Sequence, residues 1–393
     1  MVGHTQEIAH RTWIHKLCSR SMCICSSKRW KNPHVDDVIG GGNEIFDRIM
    51  TTVRKEFDFG AWDVGNFRFK GRQISQMPNG EIVCDMEQYK HELEQIDVSK
   101  ADKTKPERVL NSKEHTQFRG GVGSLGWFVD HCCPQLSFQL AELRRKQASP
   151  TVQDLLKLNK VIRAAKVIES KIKIRSIPVE HLRFMGVHDA AHANLEGGAS
   201  QQGHLILAVH ASITNCRVLM SVLSWQSKKI KRVVRSSLAA ETCSMSTCQE
   251  HLDWMRTMWE QMTRGEFVLE NYEQFLTARP SILVTDCKSL YDAIHKEGAA
   301  PASTDKRLAI ELAIVKAKAV SGETDLRWID ARYQIADCLT KHASRKSEAV
   351  LQKILQEAQW RITAEEDMLD KRKQEREIRN SSPYDEELWP TSE

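Results

Sequence analysis

The sequence RFMGVHD at residues 183–189 predicts a β-strand that ends at Asp189. Two more strands are predicted over residues 203–209 and 215–225, where apolar and β-branched residues dominate. Residues 236–262 then form the most regular helical pattern of the chain, with apolar residues at steps of three and four. This order of elements indicates a sheet with a helix packed against it.

A second set of elements completes this unit. The sequence ILV at residues 282–284 predicts a short strand of the buried kind. Helices are predicted over residues 287–296 and 304–320, a strand over 325–329, and a last helix over 334–344. Together these elements predict an α/β fold with a mixed five-stranded sheet and helices.

Composition indicates a globular protein of two or three domains. The chain has 393 residues, of which 41% are hydrophobic and 28% are charged. Its formal net charge is +5, a mild excess of base that is compatible with a nucleic-acid partner without proving one.

The sequence offers no signal for a membrane or an oxidising compartment. No apolar segment approaches the roughly 18 residues that a membrane span needs. The protein is therefore expected to be intracellular, cytoplasmic or nuclear, with its eleven cysteines reduced. A zinc site near the N-terminus is an alternative, but irregular spacing favours incidental thiols. Its candidate ligands are His10, His15, Cys18, Cys23 and Cys25.

Four acidic residues stand where predicted elements begin or end. Asp189 and Asp286 end strands, Glu241 lies in the first turns of the long helix, and Asp337 begins the last helix. All four could converge at one edge of the sheet. Clustered carboxylates repel one another unless a cation neutralises them, and hard oxygen ligands suit Mg²⁺ or Mn²⁺. Two such ions can activate a water and stabilise the leaving oxygen in phosphodiester cleavage.

Each acid also has a simpler interpretation. Asp286 could cap a helix, Glu241 could interact with a helix dipole, and Asp189 could be a turn residue. However, the apolar stripe of the long helix, extended back from Met245, reaches Glu241, so this carboxylate is expected to face the core. Taken alone, the residues leave both interpretations open.

A basic segment directly precedes the helix that carries Glu241. Lysine and arginine contacts to phosphates supply most of the sequence-independent affinity for nucleic acids. A solvated loop is an equally simple interpretation. Trp225, just before the segment, could stack on a base or belong to the core. The basic residues are Lys228, Lys229, Lys231, Arg232 and Arg235.

Five motifs in a fixed order resemble the ribonuclease H domain of copia-type retrotransposon Pol polyproteins. In that family the corresponding patterns are x-D-A-D-W-A, S-W-K-S-K-K, S-S-T-E-A-E, C-D-N-Q-S and L-A-D-I-L-T-K. In this chain they are VHDAAHAN at 187–194, LSWQSKK at 223–229, SSLAAE at 236–241, TDCKS at 285–289 and IADCLTK at 335–341.

The resemblance implies a ribonuclease H-like fold and a function. Asp189, Glu241, Asp286 and Asp337 would be catalytic and would bind two Mg²⁺ or Mn²⁺ ions, and the partner would be an RNA–DNA hybrid or other nucleic acid. The reaction would cut the RNA strand of the hybrid. One stretch departs from the family, because residues 305–309 are DKRLA where T-K-H-I-D is frequent, so substrate contacts there are expected to differ.

The resemblance continues upstream to a reverse transcriptase. The sequence HVDD at 34–37 resembles the Y-V-D-D motif of the polymerase palm, and GSLGW at 123–127 resembles G-S-L-x-Y. The family uses a third, upstream aspartate for polymerisation, and residues 1–33 contain none. Asp36 and Asp37 are therefore expected to be relics, or to serve only if another chain supplies the rest, in a truncated α+β reverse transcriptase remnant that does not polymerise DNA alone.

Four segments follow from these patterns. A poorly structured segment is predicted over 1–33, the partial reverse transcriptase over 34–175, the ribonuclease H-like domain over 176–345, and a charged helical or disordered tail over 346–393. Residues 34–170 are expected to expose apolar surface made for strands of the missing polymerase palm, and therefore to aggregate. Two other functions remain open: a catalytically silent remnant that at most binds nucleic acid, and an integrase-like or Holliday-junction nuclease.

Overall fold

The structure is a computed structural model, and within the residues that it describes the strands form three sheets of two, four and six strands. The two-stranded sheet pairs β1 (Cys23–Ser26) with β2 (Val38–Gly41). Asp36 and Asp37, like His10, His15 and Cys18, lie outside the described residues. The structure describes residues 23–26, 38–42, 44–56, 60–264, 268, 270, 272–296, 305–342 and 345–362.

The four-stranded sheet is antiparallel throughout. It contains β3 (Asn66–Phe69), β4 (Arg72–Gln76), β5 (Ile82–Asp85) and β6 (Lys171–Ile174), in that order. Between β3 and β4 the chain reverses at Lys70 and Gly71. Both residues have positive φ, 49° and 80°, which suits a two-residue hairpin turn.

Along the sequence, the helices of the first half of the chain follow β2 and precede β6. Pro134 begins a short 3-10 helix that separates α4 from α5. Reciprocal capping bonds start two helices, at Asn111 with Glu114 and at Thr151 with Asp154. The helices are α1 (Glu44–Glu56), α2 (Glu87–Glu92), α3 (Lys100–Lys103), α4 (Ser112–Cys132), α5 (Ser137–Arg145) and α6 (Val152–Val167).

The six-stranded sheet confirms the predicted α/β fold with a mixed sheet. Its order is β11-β10-β7-β8-β9-β12, with β10 parallel to β7 and β11 and the other pairs antiparallel. The five predicted strands are present, and β12 adds a sixth from residues expected in the charged tail. The strands are β7 (Leu182–Ala191), β8 (Gln201–His210), β9 (Val218–Lys229), β10 (Ser281–Thr285), β11 (Thr324–Trp328) and β12 (Gln359–Trp360).

The helices of the second half follow the sequence patterns except near residue 340. The helix predicted over 334–344 is wrong, because the described residues of this stretch contain one 3-10 turn, Asp337–Leu339, and another such turn, Ala331–Tyr333, lies just before it. The Gln334 side chain accepts a bond from the backbone N–H of Ala336 at 3.1 Å, and such local bonds compete with a regular helix. The helices are α7 (Ser237–Thr263), α8 (Tyr272–Ala278), α9 (Lys288–His295), α10 (Lys306–Val320) and α11 (Arg345–Glu357).

Helix α7 packs closely on one face of the sheet. A Cβ atom at Gly186 of β7 would lie 2.6 Å from the Sγ atom of Cys248 in α7. Only glycine therefore leaves room for this approach. Buried residues along both elements, among them Phe184 and Leu252, form one hydrophobic cluster.

The opposite face of the sheet is covered by the first half of the chain. Phe128 of α4 and Leu205 of β8 belong to one hydrophobic cluster, which crosses the predicted boundary at residue 175. The indole N–H of Trp225 donates to the carbonyl oxygen of Val129 at 3.2 Å, so this tryptophan is used within the fold. The apolar surface of the helices thus has a partner in this chain. No helix in the described part of the chain combines the length and apolar character needed to cross a membrane.

Candidate metal centre

The pairing of β7 with β10 brings two of the predicted acids together. Val284 lies opposite Val187 in this parallel pair, so Asp286, one residue beyond β10, is level with Asp189. Asp189 lies within β7 rather than at its end, because the ladder with β8 continues to Ala191. Carboxylate oxygens of Asp189, Asp286 and Glu241 lie within 4.8 Å of one another.

Helix α7 supplies the third acid from above the sheet. Ser236 begins this helix, since its hydroxyl accepts a bond from the backbone N–H of Ala239 at 3.1 Å. One turn beyond Glu241, the hydroxyl of Ser244 donates to the carbonyl oxygen of Asp189 at 2.7 Å. This bond fixes the height of the helix on β7, so Glu241 is held over the two aspartates.

The fourth predicted acid lies beside this cluster. Asp337 stands in the 3-10 turn Asp337–Leu339 and forms an ion pair with the ammonium group of Lys341. Its negative charge contributes to raising the pKa of Asp189 and of Asp286. The structure therefore brings three of the predicted acids into contact range and places the fourth next to them, paired with a lysine.

Burial makes the charge on these acids costly in the absence of a cation. Desolvation, and then the neighbouring Asp286, raise the pKa of Asp189 to about 7. Desolvation also raises the pKa of Glu241 well above its usual value, with further contributions from Asp189 and Asp286. The pKa of Asp286 is raised mainly by burial. Three carboxylic acids held this way favour a bound cation at neutral pH.

The donor set fits a hard divalent cation. The Oε2 atom of Glu241 is buried without a hydrogen-bond partner. The Nδ1 atom of His188 lies 3.7 Å from this oxygen, and burial lowers the pKa of that histidine to about 3, so its ring is neutral. A free carboxylate oxygen beside two more carboxylates matches the oxygen ligands that Mg²⁺ and Mn²⁺ prefer.

Three further side chains at this site were not assigned a role from the sequence. The hydroxyl of Thr340 donates to the Oδ2 atom of Asp189. The pKa of Lys341 is raised, since attraction to Asp189 and Asp337 outweighs the burial that lowers it. Gln334, which is buried, donates to the Oδ1 atom of Asp286 at 3.2 Å. Thr340 and Lys341 stand in a quoted motif, whereas nothing in the residue pattern marked Gln334.

The basic segment is divided between structural and exposed side chains. Arg232 pairs with Glu311 at 2.7 Å and lies 2.9 Å from the Sγ atom of Cys243, so its guanidinium group is used within the fold. Lys228 is half-buried, and burial followed by repulsion from Lys231 lowers its pKa. The side chains of Lys229, Lys231 and Arg235 are exposed.

Comparison with known proteins places the chain beside retrotransposon proteins. No family model matches it. It is 22% identical over 332 residues to the Retrovirus-related Pol polyprotein from transposon RE1 of Arabidopsis thaliana, and 23% identical over 332 residues to that from transposon RE2. Each alignment covers 79% of this chain and 20% of the relative, so the chain spans about a fifth of the length of these curated relatives.

Structural comparison finds a retroviral protein at low similarity. The foamy viral protease-reverse transcriptase in complex with an RNA/DNA hybrid has a TM-score of 0.43 and 10% sequence identity. That alignment covers 76% of this chain and 35% of the viral one. The sequence matches confirm the resemblance drawn from the five motifs. The chain is a sequence relative of the copia-type, retrovirus-related Pol polyproteins of retrotransposons.

Proposed function

We propose that this chain is a metal-dependent ribonuclease H that hydrolyses the RNA strand of an RNA–DNA hybrid. The observation that carries the proposal is the meeting of three buried carboxylates, on β7, α7 and the end of β10, with Lys341 as the cationic side chain beside them. Uncompensated buried charges are costly, so these carboxylates are expected to bind a cation, and this binding is expected to be functional.

Each acid has a distinct part in holding two Mg²⁺ or Mn²⁺ ions. Asp189 and Asp286 would offer carboxylate oxygens from adjacent strands, and Glu241 would offer its Oε2 atom, which has no hydrogen-bond partner, from helix α7. Asp337 would leave its ion pair with Lys341 and bind a metal ion instead. When bound, the ions supply Lewis-acid activation of water and neutralise charge on the scissile phosphate. Buried partners such as Thr340 limit the rotation of the carboxylates, which keeps the ligand oxygens in place before substrate binds.

The exposed basic side chains are proposed to bind the sugar–phosphate backbone. Lys229, Lys231 and Arg235 lie at the end of β9 and in the loop that leads to α7, the helix of Glu241. These basic side chains are therefore close in sequence to Glu241, one of the three clustered acids. Contacts of this kind position a nucleic acid without reading its sequence, as a nuclease for hybrids requires.

Strand-specific cleavage by the full chain tests the proposal. The full chain is used because the hydrophobic cluster continues across residue 175. An RNA–DNA hybrid labelled on either strand, a double-stranded RNA and a double-stranded DNA are incubated with Mg²⁺ or Mn²⁺. We expect cleavage of the RNA strand of the hybrid alone, and loss of cleavage in Glu241→Gln.

A control variant helps to distinguish cleavage by the proposed site from cleavage by a contaminating nuclease. Asp97→Asn changes an exposed aspartate far along the chain from the acids and is expected to cut as the wild type does. A folded wild-type protein that leaves every substrate intact would favour a catalytically silent relative. Cleavage of double-stranded DNA instead of the hybrid would favour an integrase-like or junction nuclease.

A further inference from the structure

Gln334 is a buried amide that connects three acid-bearing parts of the site. Its side-chain NH₂ group donates to the carbonyl oxygen of His188 at 2.9 Å and to the Oδ1 atom of Asp286 at 3.2 Å. Its side-chain oxygen accepts a bond from the backbone N–H of Ala336 at 3.1 Å. The residue is 1% exposed, so water does not compete for these bonds.

These bonds reach one carboxylate directly and two through the adjacent backbone. His188 immediately precedes Asp189 in β7, and Ala336 immediately precedes Asp337 in its turn. A single side chain thus joins β7, the end of β10 and the turn Asp337–Leu339. Both N–H groups of the amide and its oxygen are used, so the amide has one orientation that satisfies all three partners.

We propose that Gln334 is a positioning residue that fixes the metal-binding arrangement of Asp189, Asp286 and Asp337. The inference rests on the ribonuclease H function proposed above and names a residue that the acid motifs do not contain. The donated bond restrains the Oδ1 atom of Asp286 and so limits the rotation of this carboxylate beside Asp189 and Glu241. An uncharged donor suits this task, because a lysine or arginine there would compete electrostatically with the metal.

The length of the side chain matters as well as its chemistry. An asparagine would be shorter by one methylene group and could not span the same partners with its backbone unchanged. A methionine would fill similar volume with no hydrogen bond, leaving the carbonyl of His188 and the N–H of Ala336 without their partner. Positioning by Gln334 therefore predicts a loss of metal affinity in Gln334→Met and a smaller loss in Gln334→Asn.

Titration of the full chain with Mn²⁺ alone, monitored by isothermal titration calorimetry, tests the proposal. Loss of a partner that orients a metal ligand typically weakens metal binding by about 10–100-fold, and we expect a rise of that size in the Mn²⁺ dissociation constant of Gln334→Met. In the cleavage assay, the Mg²⁺ concentration for half-maximal rate should rise by a similar factor. Most of the rate should return at saturating Mg²⁺.

Asn159 offers a matched control for a purely structural role. This buried amide accepts a hydrogen bond from the backbone N–H of Ile96 at 2.9 Å and donates one to the carbonyl oxygen of the same residue at 2.7 Å, away from the acids. We expect Asn159→Leu to lower the melting temperature and to leave the Mn²⁺ dissociation constant unchanged. A structural role for Gln334 would give the same pattern in Gln334→Met.

The outcomes separate this inference from the function on which it rests. A folded Gln334→Met protein with wild-type Mn²⁺ affinity overturns the positioning role alone. If that variant does not fold, Gln334→Asn replaces it, and wild-type affinity there has the same meaning. A folded wild-type chain that binds no Mn²⁺ overturns the proposed nuclease function and, with it, the role of Gln334.

Discussion

Replacing Asp189 by asparagine should stabilise the metal-free protein at alkaline pH while abolishing its response to metal. In the unfolded chain an aspartate has a pKa near 3.9, whereas burial beside Asp286 raises the pKa of Asp189 to about 7. The folded state therefore binds this proton more tightly than the unfolded state does. The stability linked to this proton is fully present below about pH 4 and is lost as the pH rises through about 7.

The size of this effect follows from the shift in pKa. A difference of roughly 3 units, at about 1.4 kcal/mol for each, corresponds to about 4 kcal/mol over the whole titration. Between pH 5 and pH 8 about 2–3 kcal/mol of this is lost. The amide that replaces the carboxyl group cannot ionise, so the Asp189→Asn protein should escape that loss.

Urea unfolding in EDTA at pH 5 and pH 8 measures this difference. We expect the free energy of unfolding of the wild type to fall by about 2–3 kcal/mol more than that of Asp189→Asn between these pH values. Added Mg²⁺ should restore the wild type at pH 8 and leave the variant unchanged. Asp97→Asn, an exposed substitution, serves as the control and should follow the wild type.

Parallel pH dependences for the wild type and Asp189→Asn would refute the reasoning. That result would mean that the carboxyl group of Asp189 is solvated in the folded state, contrary to its burial beside Asp286 and Glu241. If Mg²⁺ stabilised the variant as much as it stabilises the wild type, metal binding would not require Asp189.

Three more changes test the packing, the charge balance and the substrate contacts. Gly186→Ala places a Cβ 2.6 Å from the Sγ atom of Cys248 and should cost about 1–3 kcal/mol in urea unfolding, whereas Gly120→Ala, with no atom within 4 Å, should cost nothing. Lys341→Met removes the cation beside the acids, so the melting temperature in EDTA at pH 8 should fall and the rise on adding Mg²⁺ should grow. Lys231→Glu should raise KM for the hybrid at unchanged kcat, and should lower the salt dependence of binding by about one phosphate contact.

The residue pattern predicted five of the six strands and suggested that the acids could share one edge of the sheet. The apolar run at 282–284 and the sequence at 183–189 predicted β10 and β7 separately, and the parallel pairing that places Asp286 level with Asp189 is seen only in the structure. Glu241 was expected to face the core from the stripe of its helix, and it is buried over the two aspartates. These inferences succeeded because period and element order determine which side chains share an edge.

The surroundings of Asp337 could not be read from the same pattern. A run such as IADCLT at 335–340 has helical periodicity, yet the buried Gln334 donates to the carbonyl oxygen of His188 and the buried Thr340 donates to Asp189. These bonds depend on residues about 150 positions earlier in the chain, since Asn194 also donates to the carbonyl oxygen of Thr340 at 2.9 Å. Local patterns carry no information on such partners.

Tertiary packing also connects the two halves in a way that periodicity does not reveal. The stripes of α4 and α5 show that these helices have an apolar face, but not that the face lies on β8 and β9. The hairpin at Lys70 and Gly71 was missed for a different reason, because a lysine seldom adopts positive φ. The predicted boundary at residue 175 remains a sequence-based division, although the hydrophobic cluster continues across it.

The rate of RNA-strand cleavage as a function of metal concentration tests the central claim most directly. The full-length wild type and Asp286→Asn are compared under single-turnover conditions on one hybrid, in EDTA and in rising Mg²⁺ and Mn²⁺. We expect no cleavage in EDTA, a saturable rise with either metal for the wild type, and a loss of at least about 100-fold in Asp286→Asn. Cleavage that persists in EDTA, or that is equal in the two folded proteins, would contradict it.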